Sequence, residues 1–68
     1  MDLPKVLGRN VREWRKRRGL SQEELAFESG MKRSYVSDLE RGTRNPSVKA
    51  VGRLAKALKI EADILLRR

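Results

Sequence analysis

Neither cysteine nor histidine occurs anywhere in this 68-residue chain. Without thiols there is no disulfide to staple the fold and no thiolate nucleophile, and without imidazole the commonest metal ligand and general base is missing as well. Aromatic residues are scarce, with one Trp, one Tyr and one Phe, and only two prolines interrupt the chain. No apolar run exceeds a few residues, so no membrane span or secretory leader is expected, and the chain reads as cytoplasmic. Strand-type alternation, internal repeats and low-complexity tracts are also missing. One domain is expected over residues 1–68, near the lower size limit for independent folding, held by close helix packing or by a second copy of itself.

Positive charge is what the chain has in excess. Seventeen Lys and Arg oppose nine Asp and Glu, a formal net charge of +8. Such a balance attracts polyanions, either nucleic acid or an acidic membrane surface, and composition does not choose between them. Catalysis is the poorest fit, and no catalytic residue, metal or cofactor is expected, because the carboxylates lie mostly among Lys and Arg.

The apolar spacing is helical throughout. Leu3, Leu7, Val11 and Trp14 share one face of a helix over about 3–18, closed by Gly19. The run Arg15 to Arg18 lies at its cation-favouring end, and reads either as a solvated, dipole-matched terminus or as a nucleic-acid backbone contact. Trp14 reads as core. Ser21 and Glu24 have capping-box spacing for a second helix that ends at Gly30, with Leu25 and Ala26 inward. A third helix spans about 33–41, with Val36 and Leu39 apolar and Gly42 at its end. "TRNPS" is a loop in which Ser47 caps a fourth helix marked by Val48, Val51, Leu54, Ala55 and Leu58. Gly52 within it reads as a surface position rather than a close crossing. "EADILL" predicts a short fifth helix. The fold class is all-α, a compact five-helix bundle.

Helices two and three form a pair. Ala26 precedes Gly30 by four residues, and Val36 and Leu39 follow it by six and nine. A small residue where backbones approach and a glycine at the turn are what a perpendicular helix-turn-helix needs, here over about 22–41. From "VREWRKRRGLSQEELA" through "SYVSDLERGTRNPS" to "LAKALKIEADILL", the chain resembles the phage-repressor-like and Cro-like helix-turn-helix regulators of bacteria and phages. Within them, "RSYVSDLERG" is similar to small restriction-modification controller-like regulators. The resemblance implies a transcriptional regulator that binds a two-fold double-stranded DNA operator as a homodimer, with the third helix in the major groove. It also implies an internal ion pair between Arg15 and Glu40, and a phosphate contact at Gln22. Lys59 departs from the family pattern where a helix-ending glycine is usual, and Lys32 where a capping Ser or Thr is common.

The third helix carries its charges against its dipole, with Lys32 and Arg33 at the start and Asp38 and Glu40 near the end. DNA resolves this by supplying the missing anion. With Val36 and Leu39 inward, Ser34, Ser37, Asp38 and Arg41 face outward, with Arg33 and Tyr35 at the edges. Arg33, Ser34, Ser37 and Asp38 are the expected base readers, Arg33 toward guanine and Asp38 toward cytosine. Asp38 also reads as a plain solvated carboxylate. Lys32, Tyr35, Arg41, Arg44, Asn45 and Lys49 are expected phosphate contacts beside Gln22. Arg44 has a groove edge as its alternative, and Lys49 a solvated surface. Ile64, Leu65 and Leu66 exceed what a small core covers, and predict a dimer interface from helix five and the adjoining end of helix four, with closure of the monomer's own core as the alternative for all three. The competing function is an antitoxin or adaptor module using the same fold, with a toxin as partner. A membrane-surface protein fits poorly, because the apolar residues are used in a core and glycines interrupt any long amphipathic face.

Overall fold

The computed structural model describes residues 2–68 and contains four α-helices, α1 (Leu3–Arg17), α2 (Gln22–Ser29), α3 (Arg33–Glu40) and α4 (Val48–Leu58), followed by a 3-10 turn at Ala62–Leu66. Local chemistry sets most of the ends. Asp2 caps α1, its Oδ1 accepting from the Lys5 N–H at 3.2 Å, and Pro4 lies in the first turn, where its missing N–H has no cost. At the other end Gly19 turns left-handed, and the Leu20 N–H reaches back to the Arg15 carbonyl at 3.0 Å. The α2 capping box is complete: Ser21 Oγ accepts from the Glu24 N–H at 3.0 Å, and Glu24 Oε1 accepts from the Ser21 N–H at 2.8 Å. Ser47 caps α4 with its hydroxyl alone, accepting from the Ala50 N–H at 3.1 Å. α3 is the exception, since Lys32 at its N-cap makes no side-chain cap bond.

α1 lies against α3 and the 3-10 turn, while α2 packs on α3 and α4. Leu7, Val11, Leu25, Val36, Leu39, Leu54, Leu58 and Leu65 form the buried centre, with Trp14, Tyr35, Val51 and Ile60 closing its edges. Each fully buried aliphatic side chain contributes about 1.5–3 kcal/mol. Gly8 sets how closely α1 and α3 cross, because a Cβ there would stand 2.1 Å from the Leu39 carbonyl oxygen. Asn10, buried on α1, ties down the chain end by donating its amide to the Leu65 carbonyl at 2.9 Å and to that of Arg67.

Two expectations need correction. The fifth helix is a 3-10 turn rather than an α-helix. Its five residues lie between extended residues Glu61 and Arg67, too few for α-helical propagation to offset nucleation, so i to i+3 bonding such as Ile64 N–H to Glu61 O at 3.1 Å takes over. Val48 is not part of the α4 core face but 91 % exposed, since it occupies the first helical position and projects past the end of the core. Lys59 takes up the left-handed conformation that its position demands, at φ 60°, and among the described residues no other non-glycine does so. No helix among the described residues is long and apolar enough to cross a membrane.

Candidate nucleic-acid interface

The helix-turn-helix is built from α2, the Gly30 turn and α3. Gly30 adopts φ 71°, and the Met31 N–H bonds back to the Ala26 carbonyl at 2.8 Å, which reverses the chain within three residues. Val36 and Leu39 are buried, so α3 rests on them and presents Lys32, Arg33 and Ser34 to solvent, with Ser37 and Asp38 half-buried. Ser34 forms a ridge between two open clefts. Gln22, Arg33 and Ser37 line one, and Lys32, Tyr35, Arg44 and Arg53 line the other. Of the expected base readers, Arg33, Ser34 and Ser37 thus share one cleft, and Lys32 and Arg44 lie across Ser34 from Arg33 and Ser37.

Arg15 and Glu40 meet beneath this surface. Arg15 Nε donates to Glu40 Oε2 at 2.6 Å and Nη2 to Oε1 at 3.0 Å, a bidentate pair with side chains only 12 % and 5 % exposed. Arg15 Nη1 also donates to the Leu20 carbonyl at 2.8 Å. The hydrogen bond to Glu40 raises the Arg15 pKa above its ordinary value, burial opposing it. One charged pair thus joins the end of α1, the α1–α2 turn and the end of α3, fixing the angle at which α3 is displayed.

Several expected contacts are placed differently. Gln22 donates its amide to Glu40 Oε1 at 3.1 Å, so it belongs first to the buried pair and only its remaining polar capacity faces outward. Tyr35 is half-buried; its ring packs against the core, with the Arg44 guanidinium 4.6 Å from its centroid. Asp38 is engaged by Arg41, and by Arg44 Nη2 at 3.5 Å. Asn45 and Lys49 are exposed, but Asn45 borders a separate apolar groove with Leu3, Pro46, Val48 and Leu66.

Burial divides the three residues of the expected dimer surface. Leu65 is 0 % exposed and belongs to the core, Ile64 is half-buried, and Leu66 stands out beside Leu3 and Val48. The groove of Leu3, Val48 and Leu66 thus adjoins the beginning of α4, while Phe27, 86 % exposed, lines a separate cleft with Lys56 and Ala57 near its end.

The basic run of α1 is largely engaged. Beyond Arg15, Arg17 lies over the Trp14 ring at 4.7 Å, and Arg18 donates to the Leu58 carbonyl at 2.8 Å and the Lys59 carbonyl at 3.1 Å, covering the free end of α4. Arg53 was missed. The spacing of Lys49, Arg53 and Lys56 along α4 is the signal that would have marked a basic stripe there.

A helix-turn-helix family profile matches residues 11–65. The control protein C.BamHI of Bacillus amyloliquefaciens is 44% identical over 62 residues, covering 90% of this chain and 76% of that protein. The crystal structure of the restriction-modification controller protein C.AhdI from Aeromonas hydrophila superposes with a TM-score of 0.88 at 50% identity, over 91% of this chain and 94% of that one. The biofilm regulator SinR, crystallised in complex with DNA, matches with a TM-score of 0.86 at 32% identity, over 90% and 98% of the two chains.

Proposed function

The chain belongs to the Cro/C1-type helix-turn-helix family, and from that premise we propose that it is a sequence-specific regulator acting as one domain whose α3 reads the major groove of double-stranded DNA. The observation that carries this reading is the N-terminus of α3, which lacks a side-chain cap and is ringed by Lys32, Arg33 and Arg44. Lys32 offers no side-chain cap; its carbonyl takes the Tyr35 N–H at 3.0 Å, the N–H groups of Arg33 and Ser34 remain for an external anion, and cations around the helix start supply the rest of a phosphate-binding surface. Beside them Arg33, Ser34 and Ser37 offer donors and acceptors short enough for base edges, Arg33 matching guanine with its two-pronged fork. Arg41, Arg44, Asn45 and Lys49 supply backbone contacts that fix register.

A homodimer accounts for the apolar groove of Leu3, Val48 and Leu66. Two-fold pairing through it sets two copies of α3 on successive major-groove faces, about 34 Å apart. Selection of bound sites from random duplex DNA, followed by footprinting and sedimentation of the complex, tests both statements. Recovery of a two-fold motif bound by two chains is expected. Enrichment of no motif would overturn sequence-specific reading, and a single chain on the selected site would overturn the dimer.

A further inference from the structure

Asp38 is the one carboxylate on the outward face of α3, and it is not free. Its Oδ1 is held by Arg41 and its Oδ2 accepts from Arg44 Nη2 at 3.5 Å, while the Arg44 guanidinium also sits over the Tyr35 ring, 4.6 Å from its centroid. Its backbone is a hub too: the Asp38 carbonyl accepts from the Thr43 N–H at 3.2 Å and the Thr43 hydroxyl at 3.1 Å, folding the following loop back onto α3. The loop that presents Arg41 and Arg44 is thus fastened to the residue that neutralises them.

We propose that Asp38 is a specificity gate: its carboxylate occupies, in the free protein, the anion position that DNA phosphates take over, and it yields Arg41 and Arg44 fully only where a base offers it another donor. This rests on the DNA-reading role of α3. Both pairs are partly exposed, and surface ion pairs of this kind are weak enough for a phosphate to exchange with the carboxylate. The exchange strands Asp38 beside the duplex, where a carboxylate without a donor is repelled by phosphates. An amino group in the major groove, cytosine N4 or adenine N6, removes that penalty, and the guanine and thymine edges, which offer only acceptors, do not. Asp38 therefore couples recognition of one base pair to the strength of two backbone contacts, and weakens binding elsewhere.

Asp38→Asn separates this role from that of a simple base reader, since the backbone carbonyl that anchors the loop is retained. Binding of the full chain to a selected operator and to a random duplex is titrated over a salt series, with circular dichroism confirming the helical fold. Asp38→Asn is expected to bind the random duplex about three- to tenfold more tightly, with a salt dependence steeper by about one to two phosphates, and to lose discrimination between the two duplexes. In an Arg41→Gln/Arg44→Gln background the same substitution should change random-duplex binding little. Glu61→Gln, the same charge change at the far end of α4, is the control. The proposal is overturned if Asp38→Asn leaves random-duplex binding unchanged, if its effect survives loss of both arginines, or if Glu61→Gln reproduces it. Failure of the wild-type chain to bind any duplex would instead overturn the DNA-binding reading itself.

Discussion

Removing the Arg15 side chain leaves the Glu40 carboxylate nearly buried, with Gln22 as its remaining side-chain donor. An unpaired buried charge is far more costly than the pair it came from is stabilising, so Arg15→Ala should lose about 3 kcal/mol, read as a fall in the thermal midpoint. An unchanged midpoint would mean that the pair is solvated in solution. Lys59 presents the opposite case. A side chain held at φ 60° bears a left-handed strain that glycine escapes, so Lys59→Gly should raise stability by about 1 kcal/mol, visible as a higher midpoint in denaturant. The Arg15–Glu40 partnership was available only from likeness to a family, because nothing in the spacing distinguishes Arg15 from the three cations after it. Arg18 and Asn10 were not readable at all, since each serves a carbonyl 40 or more residues away.

At the scale of elements, periodicity and caps placed all four α-helices to within a residue or so, because each starts or ends on a residue with local chemistry of its own. The fifth segment was misread since five residues show apolar content but no period. Glycines behave in two ways within helices. Gly52 has open space around the position of a Cβ, so Gly52→Ala should gain about 1 kcal/mol of helix propensity. Gly8→Ala gains the same propensity but drives a methyl into the Leu39 carbonyl, and a net loss of about 1–3 kcal/mol is expected. Chemical denaturation of the two variants side by side should therefore move their midpoints in opposite directions. The α2 capping box adds a pH signature. Its hydrogen bonds from Ser21 hold the Glu24 carboxyl below its ordinary 4.5, so the contribution of the box is complete above that value and is lost as pH falls through the lower folded value. Glu24→Gln should flatten that part of the acid-unfolding profile; a profile identical to wild type would show the box to be open.

Across the whole molecule, charge is distributed by use. Cations at the end of α1 hold the bundle together, whereas those around α3 and the loop after it surround a helix start that the protein leaves uncapped. Net charge pointed to a polyanion, but only the folded arrangement separates the two groups, because sequence neighbours such as Arg15 and Arg18 serve different partners. The groove of Leu3, Val48 and Leu66 was not legible for a related reason: it joins three segments far apart in the chain, and apolar excess within "DILL" says how much is exposed without saying which residue. The central claim, that α3 reads bases while its surroundings hold phosphates, is tested most directly by titrating Arg33→Ala and Arg44→Ala against the preferred operator and a single-base variant over a salt series. Loss of Arg33 should cost about 1–3 kcal/mol on the preferred site and relax preference at one base pair. With the base pair facing Asp38 kept the same in the two duplexes, loss of Arg44 should weaken binding to both alike and lower the salt slope by about one. Equal losses on both duplexes for both variants would contradict the account, leaving Arg33 as positive charge alone.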